Sequence, residues 1–217
     1  MRLRRKTNIQ EKIEQMAGFI FTEPIAANGR WQNIFGNNLP LHVELGTGKG
    51  AFIAAAAAMN PDINYVALEK VPDIIYEAGL KRKMFNLKNL HLILDDVELL
   101  LYYFKPNEVE RIYLNFIDPW PKTRHEKRRL THRHYLDMYK SILKTDGEIH
   151  LKTDNIPFFD YSLLSLVDAG FSLGHITYDL HNTNQPDKIV MTEYETRFAL
   201  LGQPICRCEA IKPQEYE

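Results

Sequence analysis

The sequence predicts an α/β fold: a mostly parallel sheet of seven strands, helices on both faces, and one antiparallel strand near the edge. Three observations predict it. Short apolar runs alternate with helix-like stretches through the middle of the chain, the pattern of βαβ units. The runs are short and each is joined to the next through a helix, as parallel strands require. Near the end, two β-like runs follow each other with no helix between them, which predicts an antiparallel pair.

The elements follow in order. Residues 1–40 read as a basic arm and lead-in, with a short helix near Glu11–Phe21 and a loop carrying Pro24, Gly29, Gly36 and Pro40. Strands are expected at Leu41–Leu45, Ile63–Glu69, Leu90–Asp95, Arg111–Ile117 and Glu148–Lys152. Helices are expected at Gly50–Met59, Pro72–Phe85, Val97–Phe104, Thr131–Leu143 and Phe158–Ala169, and Pro72 suits a first helical turn. The closing β-like runs are Phe171–Leu180 and Glu193–Leu201. Residues 41–217 thus form one domain behind the lead-in, in keeping with a total of 217 residues.

Composition excludes several classes. With 45% hydrophobic and 25% charged residues the chain can bury a core, so wholesale disorder is excluded. The longest apolar run, Ala51–Met59, is too short to span a bilayer, and no membrane partner is expected. The basic start is followed by polar residues rather than an apolar stretch, so no secretory leader is expected. Cys206 and Cys208 are too close together to staple a domain or build a zinc site, which points to a reducing, cytoplasmic setting. A net charge of −1 argues against indiscriminate coating of nucleic acid but says nothing of local patches.

Acidic residues fall at the ends of the first four strands: Glu44, Glu69, Asp96 and Asp118. They recur at about one βαβ repeat each time. Ligands of open parallel sheets bind outside the carboxyl ends of the strands, where these four would gather. The first strand also runs into Gly46, Gly48 and Gly50, a G-x-G-x-G turn that permits close approach of a ligand. It is not a P-loop, because Lys49 is followed by Gly50 and the first glycine of that pattern is missing. Nor does it match the nicotinamide fingerprint, whose last glycine falls at Ala51. Glu44, Asp96 and Asp118 would repel a pyrophosphate. The same acids suit S-adenosylmethionine, which has no phosphate and carries a sulfonium and an ammonium. Glu69 stands where an acid can accept from ribose hydroxyls, and Asp96 could accept from the adenine amino group.

The fourth strand ends in Asp118-Pro119-Trp120-Pro121-Lys122, where two prolines stiffen the loop. Trp120 is either a base-stacking ring or a loop anchor, and Asp118 is the candidate catalytic residue. From Lys122 to Arg133 six basic residues stand against Glu126 alone, with His125 and His132 among them and His134 next in the chain. Such a run is a solvated face or a phosphate-contacting surface. No cysteine or paired carboxylate accompanies these histidines, so no metal is expected.

Together these segments resemble the bacterial tRNA (guanine-N7-)-methyltransferase family of class I, Rossmann-like, S-adenosylmethionine-dependent enzymes. The likeness rests on Arg2–Lys6, Glu44–Gly50, Glu69-Lys70, the Asp96 turn, Phe116–Lys122, Arg124–Leu130, His150–Asn155 and Thr192–Phe198, in order along the chain. The family's early K-P-W-A is Lys6-Thr7-Asn8-Ile9 here. The resemblance implies methyl transfer to N7 of a guanine in the tRNA variable loop, by a monomer or homodimer. It implies cofactor contacts from Glu44, Gly46, Gly48, Gly50, Glu69, Asp96 and Asp118, with Asp118 also catalytic. It further implies substrate contacts from Lys122, Asp154, Thr192, Tyr194 and Glu195, and tRNA contacts from Arg124, His125, Lys127, Arg128 and Arg129. Guanine N7 carries a lone pair and no proton, so Asp118 is better suited to holding the base and its developing charge than to removing a proton. The nearest alternative is an adenine-directed enzyme with a D/N-P-P-aromatic loop. A cofactor-shaped RNA-binding module without catalysis is a further alternative.

Overall fold

The computed structural model describes residues 8–23, 31–182, 190–192, 194–195 and 201–213. The basic start Arg2–Lys6, most of the loop Asn182–Asp187 and most of the expected strand Glu193–Leu201 lie outside them. The chain divides into two compact units, Met1–Tyr103 and Phe104–Glu217.

The first unit holds four parallel strands: β1 (Ile20–Phe21), β2 (Leu41–Leu45), β3 (Asn64–Leu68) and β4 (Leu90–Ile93), in the order β1-β4-β3-β2. Val43 lies beside Val66, and Leu68 beside Ile93. Every residue of β2, β3 and β4 is buried, the polar His42, Glu44, Asn64 and His91 included. The helices are α1 (Ile9–Glu14), α2 (Trp31–Phe35), α3 (Ala51–Met59), α4 (Pro72–Met84) and α5 (Leu100–Tyr103). Alanines let α3 pack closely. A Cβ on Gly50, at its entrance, would lie 2.5 Å from the Ala78 Cβ of α4. Asn89 Nδ2 donates to the carbonyls of Ala57, Asn60 and Ile63, tying the end of α3 to the start of β3.

The single helix expected near Glu11–Phe21 is a six-residue helix followed by a strand. Gly18, a weak helix former, falls where the helix would continue, and Phe19-Ile20-Phe21 is a β-type run. Leu92 N–H donates to Phe19 O and Leu94 N–H to Phe21 O, so β1 covers the otherwise open side of β4. This strand brings the described total to eight. The expected helix Val97–Phe104 is a 3-10 turn, Val97–Leu99, leading into α5.

The second unit holds β5 (Val109–Asn115), β6 (Leu143–Thr153), β7 (Ser172–Thr177) and β8 (Cys206–Ile211), in the order β5-β6-β8-β7. β5 and β6 are parallel, and β8 runs antiparallel to both β6 and β7. An antiparallel strand one place in from the edge of the described sheet is therefore present, at Cys206–Ile211, while most of the expected run Glu193–Leu201 lies outside the described residues. Helices α6 (Arg133–Ile142) and α7 (Ile156–Asp168) complete the unit. The Asn155 side chain caps α7 by accepting from Phe158 N–H at 2.9 Å, and a proline sits in the first turn. The α7 residue Ser165 donates to Thr131 O, and Ser162 and Thr131 are hydroxyl-bonded at 2.9 Å, which fixes the chain entering α6. Cys206 and Cys208 are free and buried in β8.

Candidate methyl-transfer site

In the first unit the candidate cofactor residues cluster at the carboxyl ends of β2, β3 and β4. Gly46, Gly48 and Gly50 have φ of 75, 57 and 73°, left-handed backbone that favours glycine. Glu44 is buried, with 2% of its surface exposed, and its carboxylate accepts from Thr47 Oγ1 at 2.5 Å. Glu69 accepts from Gly48 N–H at 3.2 Å and from Val71 N–H at 3.0 Å. Burial raises its pKa, against the opposing effect of these backbone donors. Asp96 accepts from Glu98 N–H at 3.2 Å and lies 3.4 Å from Lys70 Nζ in an exposed pair. Its neighbour Asp95, which the sequence did not mark, accepts from the Tyr103 hydroxyl at 2.7 Å and from Asp96 N–H at 2.8 Å. Asp95 thereby fixes the turn that presents Asp96.

The donor set tests which ligand fits. Gly46 and Thr47 N–H both donate to Leu68 O, at 2.9 and 3.0 Å, and Gly50 N–H to Thr47 O at 3.0 Å. Gly48 N–H is engaged by Glu69. A phosphate needs such amides turned outward. Here they bond within the protein, and the turn is lined by acids. The arrangement suits S-adenosylmethionine, with its ribose hydroxyls and positive charges.

In the second unit the loop after β5 is strained. Phe116 and Trp120 have φ of 50 and 40°, costing about 1–3 kcal/mol each for a residue with a side chain. Phe116 N–H donates to Lys152 O at 2.8 Å, while Asp118 is exposed. The loop's grip comes from the basic stretch. Arg129 Nε lies 3.2 Å from Pro119 O and 3.3 Å from Trp120 O, and Nη2 lies 3.2 Å from Trp120 O. Its guanidinium also sits over the Tyr161 ring at 4.1 Å. Arg128 lies over the Trp120 ring at 5.0 Å, and His125 meets the same ring edge-on at 5.7 Å. Trp120 is thus held on its ring and on its carbonyl. Residues Thr123–Arg128 form a 3-10 turn in which Arg124, Lys127 and Arg128 are exposed, as is Lys122 just before it.

The segment 190–195 meets this loop. Thr192 Oγ1 accepts from Glu195 N–H at 2.9 Å, and the Glu195 carboxylate accepts from Thr192 N–H at 3.3 Å. This is a capping box, and Tyr194 and Glu195 have helical backbone. Tyr194 and Glu195 are therefore helical where a strand was expected, as T-x-x-E signals, and most of that expected strand lies outside the described residues. The Tyr194 hydroxyl donates to Asp154 at 3.0 Å, and its ring lies 4.9 Å from Phe116. Glu195 has no exposed surface. Its carboxylate oxygens lie 3.2 and 3.0 Å from Lys152 Nζ, and one lies 3.5 Å from His181 Nε2. Lys152 Nζ also donates to Val190 O at 3.2 Å. Neither Lys152 nor His181 was marked by the sequence; the only signal was an isolated lysine inside an apolar strand.

Among the described residues no group of three or more His, Cys, Asp and Glu can hold a metal ion. No described helix is long and apolar enough to cross a membrane.

A family profile described as "Putative methyltransferase" matches residues 38–208. A tRNA (guanine-N(7)-)-methyltransferase of Geobacillus kaustophilus (strain HTA426) is 47% identical over 213 residues, covering 98% of both chains. One from Bacillus subtilis (strain 168) is 46% identical over 209 residues, covering 96% of this chain and 98% of its own. The chain belongs to the tRNA (guanine-N7-)-methyltransferase family. Among solved structures, the 16S rRNA methyltransferase KamB aligns with a TM-score of 0.64 at 13% identity, covering 90% of this chain and 99% of its own. An antibiotic-related methyltransferase aligns at 0.61 with 16% identity, covering 83% and 91%. At such identities the likeness is one of fold, and that fold is the α/β methyltransferase fold the sequence predicts for this family member.

Proposed function

We propose that the protein transfers a methyl group from S-adenosylmethionine to N7 of a guanine in the variable loop of tRNA. Identity of 46–47% across the whole length of curated tRNA (guanine-N(7)-)-methyltransferases carries this reading. The chemistry of each unit supports it. The first unit offers Glu44, Glu69 and Asp96 around a glycine turn whose amides are engaged internally, and these hold the cofactor. The second unit offers an exposed carboxylate on a stiff loop beside exposed Lys122, Arg124, Lys127 and Arg128, which suits a base carried on a polyanion.

When bound, the cofactor supplies an electrophilic methyl group on a sulfonium. Guanine N7 would accept that methyl group on a lone pair and carries no proton, so the protein need take none. Asp118 accepts hydrogen bonds from the guanine N1–H and N2–H₂ edge and stabilises the charge that develops on the ring. Asp154, positioned by the Tyr194 hydroxyl, shares that edge, and Tyr194 with Phe116 provides an aromatic wall. Lys122 and Thr192 orient the nucleoside. Glu195, fully buried, acts by holding Thr192 and Tyr194 in place. Alignment of the base supplies much of the rate.

The test is incubation of the protein with labelled S-adenosylmethionine and total tRNA, followed by nucleoside mapping. The expected product is 7-methylguanosine in the variable loop. Methyladenosine would favour the adenine-directed alternative, and no labelled nucleoside would favour a binding module.

A further inference from the structure

We infer that Arg129 is a positioning residue of the Asp118 loop and not one of the tRNA phosphate contacts. The inference rests on the proposed methyl transfer to tRNA for its catalytic readout, but its geometric basis is independent. The loop from Phe116 to Pro121 has two aromatic residues in left-handed backbone, and Pro119 and Pro121 have no N–H. A strained segment poor in its own donors must be held by its surroundings. Arg129 supplies that hold. Nε and Nη2 point at the carbonyls of Pro119 and Trp120, the two residues directly after Asp118.

The other faces of the arginine are engaged as well. The guanidinium lies over the Tyr161 ring of α7, 4.1 Å from its centre, and the Tyr161 hydroxyl donates to Glu126 at 3.3 Å. The main chain is anchored too: Arg129 N–H donates to Glu126 O at 2.9 Å, and His132 N–H to Arg129 O at 2.8 Å. Arg129 is half-buried, whereas Arg124, Lys127 and Arg128 of the same stretch are exposed. A phosphate oxygen approaching the Nε–Nη2 edge would have to displace two carbonyls of the catalytic loop. The planar fork is the feature that matters. A lysine keeps the charge but can neither bridge two carbonyls nor stack flat on a ring.

The experiment compares Arg129→Lys and Arg129→Ala with the wild-type full-length chain. Three quantities are read: tRNA Kd as a function of salt, single-turnover methylation at saturating tRNA, and acrylamide quenching of tryptophan fluorescence. Quenching reports on Trp120, because the second tryptophan, Trp31, is 1% exposed. The expected result is an unchanged salt slope in both variants, a methylation rate lowered about 10²-fold in both, and faster quenching in both. A salt slope reduced by about one in the alanine variant, with lysine restoring rate and affinity, would mark a phosphate contact and overturn the inference. Unchanged methylation and quenching in folded variants would overturn it equally. If the wild-type protein methylates no tRNA, the proposed function fails, while quenching still decides whether Arg129 holds the loop.

Discussion

Replacing Lys152 with methionine should leave Glu195 as an uncompensated charge with no exposed surface. In the wild-type protein Lys152 Nζ makes three close contacts: both Glu195 carboxylate oxygens and Val190 O. The side chains are 7% and 0% exposed, so water does not screen the pair. Removing one partner of a buried pair costs about 3–5 kcal/mol, because the remaining charge stays desolvated. Thr192 N–H at 3.3 Å and His181 at 3.5 Å offset only part of this. The protein has one escape. The segment 190–195 can leave its seat, let Glu195 reach water, and carry Tyr194 away from Asp154 and Phe116. Global stability then falls less and the KM for tRNA rises. The assay is a double-mutant cycle with Glu195→Gln, read by urea unfolding and by KM. The expected cycle shows a loss of about 3 kcal/mol or a clear rise in KM for Lys152→Met, and recovery of at least half of the loss in the double variant. A single variant that loses less than about 1 kcal/mol with unchanged KM would refute the reasoning, since a buried unpaired carboxylate cannot be that cheap.

Other outcomes follow from the same geometry. Asp118→Ala should lower methylation by about 10²-fold or more with little change in unfolding midpoint, because Asp118 is exposed and the task proposed for it is to stabilise developing charge; near wild-type turnover would remove it from the reaction. Lys127→Ala with Arg128→Ala should weaken tRNA binding and reduce the salt slope by about two, one for each exposed cation, as read by filter binding across salt concentrations. The protein should also lose stability in mild acid. Burial, with Arg82 nearby, holds His91 at about 4 against an ordinary 6.5, so the folded state resists a proton that the unfolded chain accepts. That stability is fully present above pH 6.5 and is lost as pH falls toward 4, by about 3 kcal/mol in total. Glu148, held at about 2 chiefly by its hydrogen bond with His150, adds a loss only below its ordinary 4.5. Urea unfolding at pH 7.5 and 5 should therefore show a smaller drop for His91→Leu than for wild type. Burial also lowers the His150 pKa, so part of the slope survives in the variant; identical drops would exclude His91 as a source.

The parallel strands were legible because short runs rich in apolar residues, such as Tyr65–Leu68, recur between helix-like stretches. Acids at strand ends were legible because parallel topology repeats at a nearly constant interval. Three features were not. β1 is two residues long and leaves no periodicity to read. Thr192–Glu195 carries two valid signatures, alternation and a capping box, and the buried bond to Lys152 that decides between them spans 43 positions. Within Lys122–Arg133 every cation looks alike in sequence. Only the fold sets Arg129 against the carbonyls of Pro119 and Trp120 while Arg128 stays exposed.

The contact between the glycine turn and α4 has a genetic consequence. A side chain at Gly50 would meet Ala78, and by the same geometry a larger residue at Ala78 would press back on Gly50. The two positions, 28 apart in the chain, therefore constrain each other, and Gly50 is held further by its left-handed backbone. A larger residue at Ala78 on α4 would appear in a screen as loss of cofactor affinity, and no change at Gly50 could suppress it, because glycine has no side chain to give up.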